Sequence, residues 1–482
     1  MSLCLTTSSF SLNDYLTVRL TAGTYNQDQL QLALSLSNLS AKYIVFKKST
    51  QYSLQWLNLA KTLARKDQDI AWQLVLYYQQ KKRVRERLYW TNHAFQLGSE
   101  SAIIDRAKQL ATTTENYQQA KALLQAIDNE ESRMLQVTLA VKFADITLLQ
   151  TLIPKLTSLN EQTLLKELLT YQVLPRLTNG SLTSGEAAPT VNCSNRLQFF
   201  ATNLTDLNRL TGLFSKMQNK DFFNQQFCFE TPKYIAQENL QCSHQSNERV
   251  NCDVEKLVEQ ELSDDIKYIG VMAPQGIANV DNGVVYIDHL DSHLVLEHEL
   301  LHLVGFIDEY PLNELNTACQ HQGAIAKNIV NLKQTIYSSE LDARAKVMHQ
   351  LPWKGLIKST TPISHKTPTG YRLGTPKGYS NEVGLFVANT CKNYLTDGFE
   401  NETFKPINTV TQLQYFEEQL PLAYEKLVKQ MSDQFDMPSY HSNIGKKYKQ
   451  QGDFEQANYW FEKSAGVQSS VKINTFGLTK AR

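Results

Sequence analysis

From about Asn26 to Leu177, leucine, alanine and aromatic residues recur at spacings of three and four, while glycine and proline are almost missing. This periodicity predicts helix after helix. Ala71, Leu74, Tyr77 and Tyr78, followed by Tyr89, Trp90, Ala94 and the Leu97-Gly98 break, read as one helix pair. Ala107 through Tyr117, Ala120 and Leu124 reads as another. In such pairs small alanines let two helices approach, and large residues fill the groove against the next pair. Residues 1–178 are therefore expected to form an α-helical repeat-like domain, with an ordinary irregular helical domain as the plainer alternative.

Residues 179–192 are small, polar and turn-rich, as in Asn179-Gly180-Ser181 and Ala187-Ala188-Pro189, and read as a linker. Beyond them the pattern changes to short apolar runs between polar turns. Leu197–Ala201, Tyr268–Met272 and Val284–Ile287 are rich in β-branched and aromatic residues and are expected to be strands. Residues 193–432 thus read as a mixed α and β domain. Helical spacing returns over 436–468, where Gly445, Tyr448, Gly452-Asp453, Ala457 and Phe461 fit a tetratricopeptide-like helix pair. Gly445 and Ala457 would sit where the two helices touch, and Gly452-Asp453 would make the turn. One such unit cannot bury its own face, so it must dock on the preceding domain, on the N-terminal helices or on another chain.

The length of 482 residues agrees with two or three domains. The 48 basic and 48 acidic residues cancel, so no global field draws the chain to nucleic acid or to an anionic membrane. No apolar run is long enough for a transmembrane helix. Met1-Ser2-Leu3-Cys4 has neither the basic start nor the apolar run of a signal peptide. The cysteines point the other way. Cys193, Cys228, Cys242, Cys252, Cys319 and Cys391 all fall in the middle of the chain and read as a disulfide framework. Free buried thiols in a cytosolic protein are the plainer alternative. The expectation is an exported protein, periplasmic, secreted or lipid-anchored, whose leader is not part of this chain; Cys4 would suit a lipoprotein cleavage site.

The chemistry concentrates in one segment. A helix is expected to start near Asp291-Ser292 and to run through Leu294, Val295, Leu296, Leu300, Leu301, Leu303 and Val304. His298, Glu299 and His302 intrude into this apolar background. Residues four apart on a helix lie one above the other, so both imidazoles project from one face, as two nitrogen ligands of a tetrahedral Zn2+ would. Glu299 can then reach a metal-activated water without binding the metal itself and serve as the catalytic base. With 10 histidines in the chain, such a pattern arises by chance in about one chain in a hundred. The continuation sharpens it. Gly305 can end the helix in a left-handed turn, after which Asp308, six residues beyond His302, can supply a third ligand. Glu309 is the rival for that place if the turn is longer.

His298, Glu299, His302, Gly305 and Asp308 together resemble the metzincin metallopeptidases, in the branch whose extended motif ends in Asp. Asp308-Glu309-Tyr310, with Val383-Gly384-Leu385-Phe386 downstream, is also similar to the immunoglobulin A peptidase family of zinc proteases. The resemblance covers residues 193–430. It implies an α+β metzincin-like (zincin) domain, with a twisted sheet above the active-site helix and a C-terminal subdomain below. It also implies a methionine turn beneath the zinc, for which Met348 or the region around Cys391 is the available place. Asn282–Asp288 would be the edge strand to which an extended substrate adds, or else a core strand leading to the helix. His289, His293, His321, His349 and His365 carry no spacing that singles them out.

The reading that follows is a zinc-dependent endopeptidase acting on protein or peptide substrates, with helical repeats that recruit a protein partner. A helical-repeat binding or assembly protein with a non-catalytic zinc-bearing domain is the alternative, and an intact Glu299 speaks against it. Zinc hydrolysis of a non-peptide amide, such as a cell-wall link, is a third.

Overall fold

A computed structural model describes residues 5–174, 195–242, 247–258, 262–263, 265–312, 316–392, 401–431 and 433–477. Cys4, Cys193 and the 179–192 linker lie outside them. The chain is mixed helix and sheet, with an all-helical N-terminal part and a sheet-containing C-terminal part. It divides into two compact units, Met1–Leu164 and Leu165–Arg482.

The first unit is built of antiparallel helix pairs. Gln68–Gln80 packs on Val84–Gln96, and Glu100–Leu110 packs on Thr114–Gln125. Alanines form the close contacts, as the spacing predicts. Ala71, Ala94 and Ala102 are buried with Trp56, Leu74 and Trp90 in one core cluster, and Ala107, Ala120 and Leu124 with Tyr117 in the next. Asn, Ser and Asp side chains cap several of these helices: Asn26, Asn38, Ser53, Asp67 and Asn129 each accept a backbone N–H of the first turn.

The second unit centres on a six-stranded sheet. Its strands are β1 (Arg196–Ala201), β2 (Cys228–Phe229), β3 (Lys233–Tyr234), β4 (Tyr268–Ala273), β5 (Asn279–Asp281) and β6 (Val284–Asp288). They run in the order β2-β1-β4-β6-β5, with β3 also paired to β1. All neighbours are parallel except β5, which is antiparallel to β6. The three expected strands are thus present. Of the two readings of Asn282–Asp288, edge strand or core strand leading to the helix, the second holds, since β6 pairs with β4 on one side and with β5, the edge, on the other. Asn282 and Gly283 have φ of 48° and 82° and form a two-residue hairpin turn.

One face of this sheet, through Ile269, Val271, Val284 and Tyr286, buries Tyr440, Ile444 and Trp460 of the C-terminal hairpin. The hairpin helices are His441–Gln451 and Phe454–Gly477, turned at Gly452 with φ of 83°. A Cβ on Gly445 would stand 2.8 Å from the Phe461 ring, so glycine there sets how closely the helices approach. The pair therefore docks on the sheet-containing unit. The opposite face meets Leu204–Gln218 and the His293–Leu303 helix. There Gly270 leaves room for the Phe199 ring, which packs edge-on against Phe214 at 5.1 Å.

Beyond the helix, β7 (Gly323–Ala324), β8 (Val330–Lys333), β11 (Phe386–Val387) and β12 (Asn401–Lys405) make a second, antiparallel sheet, and β9 (Ser364–Thr367) with β10 (Gly370–Leu373) a separate hairpin. Disulfides join Cys242 to Cys252 and Cys319 to Cys391, and Cys228 is also disulfide-bonded. Among the described residues no helix is long and apolar enough to cross a membrane.

In the first unit the buried Glu161 carboxylate accepts Arg133 Nε at 2.7 Å and the N–H groups of Thr157 and Ser158 at 2.8 and 2.9 Å. Burial opposes its ionised form, but the Ser158 N–H, the Arg133 guanidinium and the Thr157 N–H outweigh burial and hold its pKa at about 2. The folded pKa lies below the ordinary 4.5, so this stabilisation is complete above that value and is lost as pH falls toward 2. Glu161→Gln is expected to cost about 2 kcal/mol at pH 7, narrowing toward pH 2, as measured by urea unfolding across that range. An equal cost at pH 7 and pH 2.5 would contradict the assignment.

Candidate metal centre

The His293–Leu303 helix carries His298 and His302 one turn apart, their rings 4.9 Å apart and perpendicular. It ends in a Schellman arrangement. Gly305 N–H donates to the His302 carbonyl and Phe306 N–H to the Leu301 carbonyl, with Gly305 at φ of 87°. A Cβ on Gly305 would also stand 2.8 Å from the Phe435 carbonyl oxygen. Both conformation and space therefore require glycine. The chain turns back, and Asp308 comes to face the two histidines.

His298 Nε2 lies 3.0 Å and His302 Nε2 3.4 Å from the same oxygen, Asp308 Oδ1. The three side chains form a cluster whose ligand atoms all lie within 4.8 Å of one another. The other nitrogen of each ring explains what these atoms carry. His298 Nδ1 is 2.7 Å from the Gln412 carbonyl and His302 Nδ1 is 3.1 Å from the Phe306 carbonyl. A carbonyl can only accept, so each ring carries a proton on Nδ1, and each Nε2 presents a lone pair when the imidazole is neutral. Asp308 Oδ1 is buried with no aligned hydrogen-bond donor. Three electron pairs thus converge on one point, an arrangement that a cation relieves. Ligand atoms at about 2.0–2.1 Å around a tetrahedral zinc stand roughly 3.3–3.5 Å apart, close to the two Nε2–Oδ1 separations of 3.0 and 3.4 Å. The residues fit a zinc ion.

Without a metal the cluster can hold a proton instead: burial disfavours a charged His298, yet the facing Asp308 carboxylate raises its pKa to about 9, and a cation bound there would take the place of that proton. Burial likewise opposes ionised Asp308, but His302 and then His298 hold its pKa below the usual carboxylate range. Glu299, buried and 4.0 Å from His302 Nε2, has its pKa raised, chiefly by burial.

Every peptide group around Asp308 is tied down. The Gly305 carbonyl accepts Lys327 N–H at 2.9 Å, and Asn328 bonds both the N–H and the carbonyl of Ile307. Thr390 Oγ1 donates to the Asp308 carbonyl at 2.9 Å, and Glu309 N–H donates to Leu413 at 3.0 Å. Glu309 does not face the histidines. Its buried carboxylate accepts Lys405 Nζ at 2.7 Å, Thr411 Oγ1 at 2.9 Å and Tyr424 OH at 2.5 Å. A third-ligand role for Glu309 is thereby set aside, because its oxygens are committed elsewhere.

A cleft of about 260 Å3 opens over the cluster and is lined by Arg249, Asn279, Glu299, His302, Asp308 and Tyr310 among others. Met437 also lines it, whereas Met348 and Cys391 do not. Met437 N–H donates to the Leu303 carbonyl at 3.0 Å, and its own carbonyl lies 3.0 Å from Tyr268 OH. The methionine near the site is therefore 129 residues past Asp308, at a place chosen by tertiary contacts. Tyr310 hydrogen-bonds Asp308; the sequence holds it in the Asp308-Glu309-Tyr310 triplet but offers no signal for its role. The Gln412 carbonyl and Arg249 have no sequence signal at all. His289 and His293 stand outside the cluster.

Comparison with family models, with curated proteins and with solved structures finds no match for this chain.

Metal analysis of the purified protein is expected to find about one zinc per chain, given three protein ligands and an open position. Asp308→Ala is expected to lose stoichiometric zinc while keeping its helical circular dichroism. Full zinc retention in that variant would remove Asp308 from the ligand set.

Proposed function

We propose that this chain is a zinc-dependent endopeptidase with a metzincin-like catalytic domain. The observation that carries the reading is the convergence of two Nε2 lone pairs and Asp308 Oδ1 on one point, with the buried Glu299 carboxylate beside it in an open cleft. A purely structural zinc site closes all four positions with protein ligands and needs no adjacent base. Here three protein ligands would leave a fourth position for water. The antiparallel edge strand β5, the glycine turn and Met437 near the site helix further support the likeness to metzincins.

When bound at His298, His302 and Asp308, zinc supplies the Lewis acidity that activates water and polarises a peptide carbonyl. Glu299 takes the proton of the attacking water and passes it to the leaving amine. Tyr310, on the same wall, donates its hydroxyl hydrogen to the developing oxyanion. Gln412 and Phe306 hold the two imidazoles in the Nδ1–H tautomer through their carbonyls. The helix pairs of the N-terminal unit would recruit protein substrates. The disulfides are compatible with an exported protein.

Glu299→Gln is expected to bind zinc as the wild type does and to lower kcat by at least 10²–10⁴-fold on casein or a mixed peptide pool. Equal turnover by both proteins would sink the assignment of Glu299. Tyr310→Phe is expected to lower kcat by about 10²-fold with KM little changed, read out by steady-state kinetics. A loss of zinc without a kcat effect in the zinc-saturated variant would instead make Tyr310 a support for Asp308 only.

A further inference from the structure

Charge cancels over the whole chain but is not evenly spread along it. Residues 39–93 hold eleven lysines and arginines against three acidic residues. Six of these cations gather at two turns of the helical unit. Lys47 and Lys48 close the Leu39–Lys48 helix, which turns into Leu54–Leu63, and Lys81, Lys82, Arg83 and Arg85 surround the turn from Gln68–Gln80 into Val84–Gln96. All six are exposed, and none enters a side-chain hydrogen bond or ion pair among the described residues. The two turns share one edge. Phe46 meets Trp56 at a ring separation of 5.6 Å, and Tyr52 packs edge-on against Trp56 at 5.2 Å. Tyr52 also reaches Tyr77, in the last turn of Gln68–Gln80, at 5.3 Å. Each turn then ends on an aliphatic residue at the first position of its second helix: Leu54 is 75% exposed and Val84 63%. The next pair has neither feature. At its turn Lys108 is paired with Glu131 at 3.1 Å, and Thr114 occupies the matching place.

Protruding aliphatic side chains ringed by cations call for a partner that is anionic at its surface and apolar just beneath. The tip of a helix pair is convex, so the partner must also yield around it. A bilayer containing anionic lipid meets all three conditions: its headgroups neutralise lysine and arginine, and its acyl boundary takes up the aliphatic residues. Nucleic acid or another soluble polyanion would satisfy the cations alone. We propose that this edge of the helical unit docks the protein on a membrane surface rich in anionic lipid. The six cations sit at headgroup level, with Leu54 and Val84 inserted below them. The aromatic contacts among Phe46, Tyr52, Trp56 and Tyr77 hold the two turns side by side, so both engage the surface at once. This docking is peripheral and rests on nothing in the zinc cluster.

The test is co-flotation of the full chain with vesicles of phosphatidylcholine alone, or with about 30 mol% phosphatidylglycerol added. Affinity for the anionic vesicles is expected to exceed that for the neutral ones by at least about 100-fold. Reversing three charges in Lys81→Glu/Lys82→Glu/Arg83→Glu is expected to remove that margin. Lys61→Glu/Arg65→Glu/Lys66→Glu makes the same change in net charge at the opposite ends of the helices and is expected to bind within about threefold of wild type. Leu54→Ser/Val84→Ser is expected to weaken binding about tenfold and to abolish the part that survives about 0.5 M NaCl. These side chains are exposed, so each variant should keep the wild-type helical circular dichroism. Lys81→Gln/Lys82→Gln is a milder second variant, with a loss of about tenfold expected. Equal affinity for neutral and anionic vesicles, binding to neither, or the same loss in both charge-reversed variants would overturn the inference. Binding that salt displaces completely and that Leu54→Ser/Val84→Ser leaves unchanged would overturn it in favour of a soluble polyanion.

Discussion

The backbone of residues 305–309 is held at every peptide, and the site depends on that constraint. A carboxylate six residues past His302 can reach the histidine pair only if the helix stops at once and the chain reverses. Gly305 permits the reversal through its positive φ, and the Schellman hydrogen bonds satisfy the last helical carbonyls. The reversed segment then meets partners from three other parts of the chain: Lys327 and Asn328, Thr390, and Leu413. Fixing five residues opposes folding through lost conformational entropy. The hydrogen bonds, and the buried Glu309 carboxylate with its lysine, threonine and tyrosine partners, offset that loss. The same contacts bring the Gln412 carbonyl to His298, so loop geometry and imidazole tautomer are set together.

The C-terminal hairpin is tied to this centre from the other side of the sheet. Asn443 donates to the Asp281 carbonyl at 3.0 Å, and Lys446 pairs with the Asp281 carboxylate at 2.8 Å. Gly283 leaves no room for a Cβ, which would stand 2.4 Å from the Pro438 carbonyl oxygen. The β5–β6 turn is therefore clamped by the segment that leads from Met437 into the hairpin. An edge strand three residues long has little stability alone; here the helices behind it hold it in place. The buried Lys327–Asp436 pair, at 2.7 Å, adds a link between the glycine turn and the 433–437 turn. Breaking one partner of such a buried pair would leave a charge without compensation, so the pair ties these two turns together.

Much of this was legible in the residues. Three-and-four spacing marks the N-terminal helix pairs, with alanines at the close contacts, because a helical face is a local property. The three long strands stand out for the same reason. His298, Glu299, His302, Gly305 and Asp308 lie within eleven consecutive residues, and helical geometry plus one glycine turn suffices to bring them toward each other. Asn282–Asp288 reads equally as an edge strand or as a core strand leading to the helix, and the structure gives the second; Asn279–Asp281, with Val280 as its only β-branched residue, carries too little strand composition to be read as the edge. The Asn282-Gly283 dipeptide carries the true signal, a hairpin turn.

The sequence by itself determined the helices, the main strands and the chemical character of the site, since these follow from short-range spacing and side-chain type. Tertiary structure alone decided that Asp308 and not Glu309 faces the histidines, because that choice rests on Lys405, Thr411 and Tyr424 claiming the glutamate. It also decided that Met437 lines the cleft, that the Gln412 carbonyl orients His298, and that Arg249 stands on the cleft wall. A backbone carbonyl has no residue identity, and contacts across a hundred positions leave no periodicity. Such features exist only once the chain has folded.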